Sequence, residues 1–169
     1  MEAAVRPLDA TVARLAVAVS GGADSAMLAA HAAPVARKLG RDLLIFHVHH
    51  GLLADADNWA EHVLALGRIL QVPVHTARVQ VPAASGLGIE AAAREARYAA
   101  LAELARQQAV SHILLAHHQR DQAETVLLRL LRGTGLEGMA AMAPSVPRDG
   151  LLYLRPWLDQ DRAEILRAA

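Results

Sequence analysis

Five short apolar runs punctuate the chain: LAVAV at 15–19, LLIFHV at 43–48, PVHTARV at 73–79, HILLA at 112–116 and LLYLRP at 151–156. Helical patterns near 24–39, 55–70, 88–108 and 119–132 separate them. Runs rich in Val, Ile and Leu without polar alternation ask for burial on both faces, and the long spacers suit crossover helices rather than hairpins. That order predicts an α/β domain: an open, mostly parallel five-stranded sheet with helices on both faces. Pro34 is expected to kink the first helix or end it early. The 169 residues suit a single domain with one core. Aromatic residues are only 3% of the chain, so that core must be aliphatic. The final stretch, DQDRAEILRAA, is helix-like with no glycine cap or proline stop, so residues 155–169 read as the approach to a further region of a longer protein.

Charge and cysteine usage exclude several function classes. Seventeen basic and 17 acidic residues balance, leaving no chain-wide field to draw in a polyanion, which must instead meet a local patch. Cysteine is absent, which removes disulfides, thiolate metal sites and a catalytic thiol. Neither a signal-peptide pattern nor an apolar run of membrane-spanning length is present. The expectation is a soluble cytoplasmic protein with no membrane partner; a homodimer stays open.

In open parallel sheets, ligands sit outside the carboxyl ends of the strands. The first such end carries SGGADS, residues 20–25. Gly21 and Gly22 can take positive φ and clear Cβ atoms from the path of a phosphate, and the following helix offers unpaired N–H groups. Ser20 and Ser25 add hydroxyl donors, while Asp24 could hold Mg²⁺ against phosphates. An ordinary turn with Asp24 as N-cap accounts for the same residues. A Walker loop is excluded because the only lysine is Lys38, and a dinucleotide fingerprint is excluded because the two glycines are adjacent.

Three further stretches bear on the ligand. HVHHGL, 47–52, ends the second strand and sets His49 and His50 where a nucleoside could be contacted. Alternation puts His47 and His49 on one face and His50 on the other, which is poor geometry for a shared zinc. GIEAAAREARYAALAEL, 88–104, gathers Glu90, Arg94 and Arg97 within an arc of roughly 60° at roughly 100° per residue. Glu90 can hold Arg94, leaving Arg97 to reach outward for an anion; a solvated ion-pair face is the plainer reading. AHHQRDQAETVLLRLLRGTGLEGMAAM, 116–142, sets Asp121, Glu124, Thr125 and Arg132 on one side of a helix. Ala123, Val126, Leu127 and Leu130 form an opposite side expected to pack. The carboxylates beside His117 and His118 suit an ammonium or Mg²⁺, or simply complement the helix dipole.

The pattern S-G-G-x-D-S after a buried first strand resembles the pyrophosphate loop of the PP-loop ATPase superfamily. Its members typically cleave ATP between the α- and β-phosphates. Taken with HVHHGL, GIEAAAREARY, the AHHxxDQxETxLxxLxRGxG string and LRP, the chain resembles the tRNA(Ile)-lysidine synthetase family from about Leu15 to Arg162. The resemblance implies a ligase with ATP and Mg²⁺ as cofactors and tRNA(Ile) and L-lysine as partners. ATP adenylates the C2 oxygen of the wobble cytidine, and the lysine ε-amine then displaces AMP. Ser20, Gly21, Gly22, Ala23, Asp24 and Ser25 would cradle the phosphates, with Asp24 the magnesium candidate and His49, His50 and Gly51 near the nucleoside. Asp121 and Glu124 would recognise the lysine ammonium, Arg97 and Arg132 would meet phosphate or tRNA, and His117 would position the reacting centre. Another AMP-forming ligase of the superfamily, or a module that binds ATP or AMP without turnover, shares the loop. Thiolation relatives generally use cysteines, which this chain lacks.

Overall fold

A computed structural model describes residues 12–49, 56–80, 88–131 and 141–167. Among these residues six strands form one sheet: β1 (Arg14–Ala18), β2 (Asp42–His49), β3 (Val74–Arg78), β4 (His112–Leu114), β5 (Ser145–Arg148) and β6 (Leu151–Leu154). Five helices accompany them among the described residues: α1 (Ala23–Lys38), α2 (Ala56–Leu70), α3 (Ile89–Gln107), α4 (Gln119–Leu131) and α5 (Arg162–Arg167). The sheet order is β3-β2-β1-β4-β6-β5. All neighbours are parallel except β5 and β6.

Five strands were expected and six are present. The extra one, β5, pairs antiparallel with β6 across a tight turn at Asp149 and Gly150. Its sequence, SVPR, carries Pro147 and lies at the sheet edge, where a missing N–H is tolerated. An edge strand with a proline leaves little apolar pattern to read. Pro34 does not end α1, which continues to Lys38. Pro34 is exposed and Ala30, whose carbonyl it cannot pair, is partly exposed, while buried Ala32, Ala33 and Ala36 hold the last turn against the sheet.

Alternate residues of the central strands feed two apolar layers. Leu15, Val17, Ile45 and Leu114 pack with Leu28 and Ala29 of α1, Val63 of α2 and Ile165 of α5. Ala16, Phe46, Ile113 and Tyr153 face the other way, against Tyr98, Leu101 and Ala105 of α3. Burial on both faces explains why these strands read as continuous apolar runs. Where α2 comes down onto β3, a Cβ on Gly67 would lie 2.2 Å from Val74 Cγ2 and 2.9 Å from the Val72 carbonyl oxygen. Only glycine permits that approach.

The packed face expected for α4 is not packed. No residue of this helix is buried, and Leu127 and Leu130 are 57% and 50% exposed. A period of 3.6 says which side of a helix is apolar, not whether anything covers it. The first turn is nevertheless fixed, because the Gln122 amide donates to the Met142 carbonyl and accepts from the Met142 N–H, at 3.0 and 2.6 Å.

Candidate functional site

Strand order reverses around β1, whose neighbours are β2 on one side and β4 on the other. At such a switch point the loops leave the sheet in opposite directions and open a crevice. A cavity of about 540 Å³ occupies it, within the range of small-molecule sites. Its wall comes from the ends of three strands: Ser20, Gly22, Asp24 and Ser25 after β1, His47 and His49 on β2, and His117, His118 and Asp121 after β4. Arg97 reaches in from α3, and Phe46, Val48, Leu101 and Leu115 supply an apolar lining.

The turn after β1 is held by two hydroxyls, Ser20 Oγ accepting from the Gly22 N–H at 3.4 Å and Ser25 Oγ bonding twice to the backbone. Ser25 Oγ accepts from the Ser20 N–H at 3.1 Å and donates to the Gly22 carbonyl at 2.9 Å, and it lies 3.2 Å from Ser20 Oγ. Ser25 is buried, and its hydroxyl shapes the loop on the cavity wall. Of the two glycines, only Gly21 has positive φ, at 101°. A Cβ there would lie 2.8 Å from Trp59 Cβ, so conformation and space both demand glycine. Gly22, expected to share that conformation, is instead the extended N-cap of α1, at φ −76° and ψ 159°. No side chain caps α1, so the reading of Asp24 as N-cap fails. The helix opens onto the cavity with its first N–H groups uncapped by any side chain, a fit for an anion.

Asp24 is engaged elsewhere. Its Oδ1 accepts from Arg162 Nε at 2.9 Å, and its Oδ2 lies 3.8 Å from His118 Nε2. Buried His118 continues the contact to α4: its backbone N–H donates to Asp121 Oδ2 at 2.8 Å, and its Nδ1 lies 3.1 Å from the same oxygen without hydrogen-bond alignment. Arg162, Asp24, His118 and Asp121 thus form one row of alternating charge or charge capacity, the last three on the cavity wall and Arg162 joined to it through Asp24. Sequence reasoning missed Arg162, because nothing local distinguishes it from any arginine opening a short helix.

Two of the histidines facing the cavity, His47 and His117, have lowered pKa values. His47 Nδ1 donates to the Val19 carbonyl at 2.8 Å, and burial lowers its pKa. Burial first, and then the Arg155 guanidinium, push His117 down to about 4. Its Nδ1 is buried without a hydrogen-bond partner. Arg97 was expected to reach outward, but it turns inward over the Tyr98 ring at 5.7 Å, and burial draws its pKa below the ordinary guanidinium value. Arg94 and Arg148 lie against the same ring at 5.3 and 4.3 Å. Three guanidinium groups thus gather on one ring, Arg148 also pairing with Glu95 and Asp149.

The structure brings Ser20, Gly22, Asp24, Ser25, His49, Arg97, His117 and Asp121 to one cavity. Gly21 turns the loop and Ala23 begins α1, and neither lines the cavity. Glu124 is exposed on α4 and does not line it. His50, Gly51 and Arg132 lie outside the described residues, as does the side chain of Glu90, expected to hold Arg94. No group of three His, Asp or Glu among the described residues could hold a metal by itself. No described helix is long and apolar enough to cross a membrane.

The PP-loop domain family matches residues 2–169, essentially the whole chain. The chain belongs to that family. Among solved structures, this PP-loop domain shares its fold with the U34-tRNA thiolase NcsA from Methanococcus maripaludis. The TM-score is 0.79 at 14% identity, over 98% of this chain and 61% of that one. Among curated proteins, it is 69% identical over 169 residues to the tRNA(Ile)-lysidine synthase of Bordetella pertussis, covering 100% of this chain and 52% of that protein. The tRNA(Ile)-lysidine synthase of Ralstonia nicotianae is 46% identical over 157 residues, which is 91% of this chain and 34% of that protein. The PP-loop domain therefore spans about half the length of the first of these relatives and a third of the second.

Proposed function

We propose that this PP-loop domain is the nucleotide-binding and catalytic part of a tRNA(Ile)-lysidine synthase. One observation carries the reading: the SGGADS turn and the AHHQRD segment, about a hundred residues apart, line the same cavity. The 69% identity to a protein of that name over the full chain supports it. The cavity would take ATP with its base against the apolar lining and its phosphates against the start of α1. ATP would adenylate the C2 oxygen of the wobble cytidine of tRNA(Ile) with loss of pyrophosphate, and the lysine ε-amine would then attack C2 and expel AMP. Negative charge grows on the departing pyrophosphate, so preorganised N–H donors at the loop would lower that barrier. Asp121, fixed by the His118 backbone, and Glu124, one turn further along α4, would hold the lysine ammonium near the reacting carbon. Neutral His117 on the cavity wall would position the reacting centre there.

Mg²⁺ fits beside Asp24, since one carboxylate with phosphate oxygens and waters is an ordinary set for it. Asp24 Oδ2 accepts no hydrogen bond among the described residues. When bound, the ion would neutralise phosphate charge.

The test supplies the protein with ATP, radiolabelled lysine and tRNA(Ile), and follows lysine transfer and ATP–pyrophosphate exchange. Transfer that needs all three, with Asp121→Ala losing lysine transfer more than exchange, is the expected result. Exchange indifferent to tRNA, or stimulated by a small carboxylic acid in its place, would overturn the reading.

A further inference from the structure

Arg162 lies 138 residues from its partner Asp24, and its position is not that of a casual surface charge. The segment that carries it is anchored from three sides. Trp157 is buried edge-on against His31 of α1, with ring centroids 5.7 Å apart. The Gln119 N–H, at the start of α4, donates to the Gln160 carbonyl at 3.1 Å. Ile165 is buried in the apolar layer beneath α1. Asp161 then caps α5, its carboxylate accepting from the Ala163 N–H at 2.6 Å. The backbone at Arg162 is therefore held beside Asp24, in the first turn of α1, by packing made elsewhere.

A guanidinium has two hydrogen-bonding edges and five donors. Asp24 uses the Nε donor alone, and among the described residues the two terminal nitrogens of Arg162 make no other hydrogen bond. The Arg162 side chain is 41% exposed. An ion pair with that exposure contributes little to folding, so stability gives no strong reason for so much anchoring. It does orient the group: with Nε tied to a carboxylate, the edge made by Nη1 and Nη2 is left for a planar or tetrahedral oxyanion, which Arg binds in bidentate fashion. The cavity that its partner Asp24 lines has an apolar interior suited to a base and a polar rim. A nucleoside triphosphate lying with its base inward extends its outermost phosphates toward that rim.

Resting on the nucleotide reading above, we propose that Arg162 is a phosphate-binding residue of this site. Its Nη edge takes oxygens of the terminal diphosphate group, the part that leaves as pyrophosphate, and Asp24 is the positioning residue that aims it. Arg162 then distinguishes a triphosphate from a monophosphate and releases its hold when pyrophosphate departs.

The experiment titrates ATP, AMP and inorganic pyrophosphate, with and without Mg²⁺, into the parent, Arg162→Gln and Arg162→Lys, by calorimetry. Arg162→Gln should weaken ATP and pyrophosphate by about tenfold or more while AMP stays within about twofold, and Arg162→Lys should recover part of the loss because it restores charge without the fork. Urea midpoints of the variants should match the parent. Equal weakening of ATP and AMP would assign Arg162 a structural role and overturn the proposal, as would unchanged ATP binding. Tighter ATP binding by Arg162→Gln in Mg²⁺ would mean the arginine merely occupies a cation's place, and would also overturn it. A parent that binds none of the three removes the nucleotide reading itself, an outcome distinct from selective failure at Arg162.

Discussion

Gly21→Ala is the most exacting test of how the phosphate loop is built, because two separable physical terms oppose it. Gly21 has φ 101°, outside the usual L-residue regions, and holding a side-chain-bearing residue in such a conformation costs about 1–3 kcal/mol. The added methyl would also lie 2.8 Å from Trp59 Cβ and 3.1 Å from its Cγ. Those atoms are at the root of the indole side chain, so a rotamer change does little to move them, and α2 or the loop must give. Overpacking of this kind costs about 1–3 kcal/mol. The sum, about 2–6 kcal/mol, is a large fraction of the 5–15 kcal/mol typical of a domain. Urea denaturation of Gly21→Ala, Trp59→Gly and the double variant separates the terms. In the Trp59→Gly background both the Cβ and Cγ contacts are gone, so Gly21→Ala should cost only the conformational part, leaving a coupling of about 1–3 kcal/mol between the two positions. If Gly21→Ala matches the parent within about 0.5 kcal/mol, or the two effects simply add, the account of this loop is wrong.

Two further outcomes follow from the same site. His117 stays neutral in the folded chain down to about pH 4, whereas its unperturbed value is 6.5. The unfolded state therefore binds more protons between those values, so the contribution to stability is complete above about 6.5 and is lost as pH falls toward 4. It amounts to at most about 3 kcal/mol at 1.36 kcal/mol per unit. Urea midpoints taken at several pH values should fall through that window in the parent and fall less in His117→Asn; parallel curves would refute the assignment. Ser25→Ala removes the acceptor of the Ser20 N–H and the donor to the Gly22 carbonyl. It should cost about 1–3 kcal/mol and weaken ATP binding in a nucleotide titration, whereas an unchanged variant would show that the loop holds its shape without this hydroxyl.

Most of the sheet was legible from local pattern. Strands buried on both faces write themselves as unbroken runs of Val, Ile and Leu, and Leu15, Val17, Leu44 and Ile45 are such residues. The edge strand β5 was not legible, because half-exposed SVPR has neither an apolar run nor alternation. The apolar stripe on α4 was read correctly as a pattern and wrongly as packing, since burial depends on a second surface. For the cavity, the motifs indicated SGGADS and AHHQRD, and both line it. The glycines misled in part: adjacent residues of one type have opposite backbone needs here, because Gly22 caps α1 in an extended conformation while Gly21 turns beneath Trp59.

What the sequence determined by itself is therefore the parallel α/β architecture, the phosphate-compatible turn and its partner segment on α4. Each is a property of a few contiguous residues: hydrophobic period, glycine placement and short-range spacing. Only the tertiary structure decided which partner each polar group takes. Asp24 could have capped α1, and in the folded chain it pairs with Arg162, because α5 is packed onto α1 from the far end of the chain. Arg97 could have faced solvent, and it turns inward because the Tyr98 ring lies beneath it. Charge and hydrogen-bonding capacity belong to residue types, but their use is settled by distances of about 3 Å. Such distances between residues more than a hundred positions apart exist only once the sheet has brought their helices together.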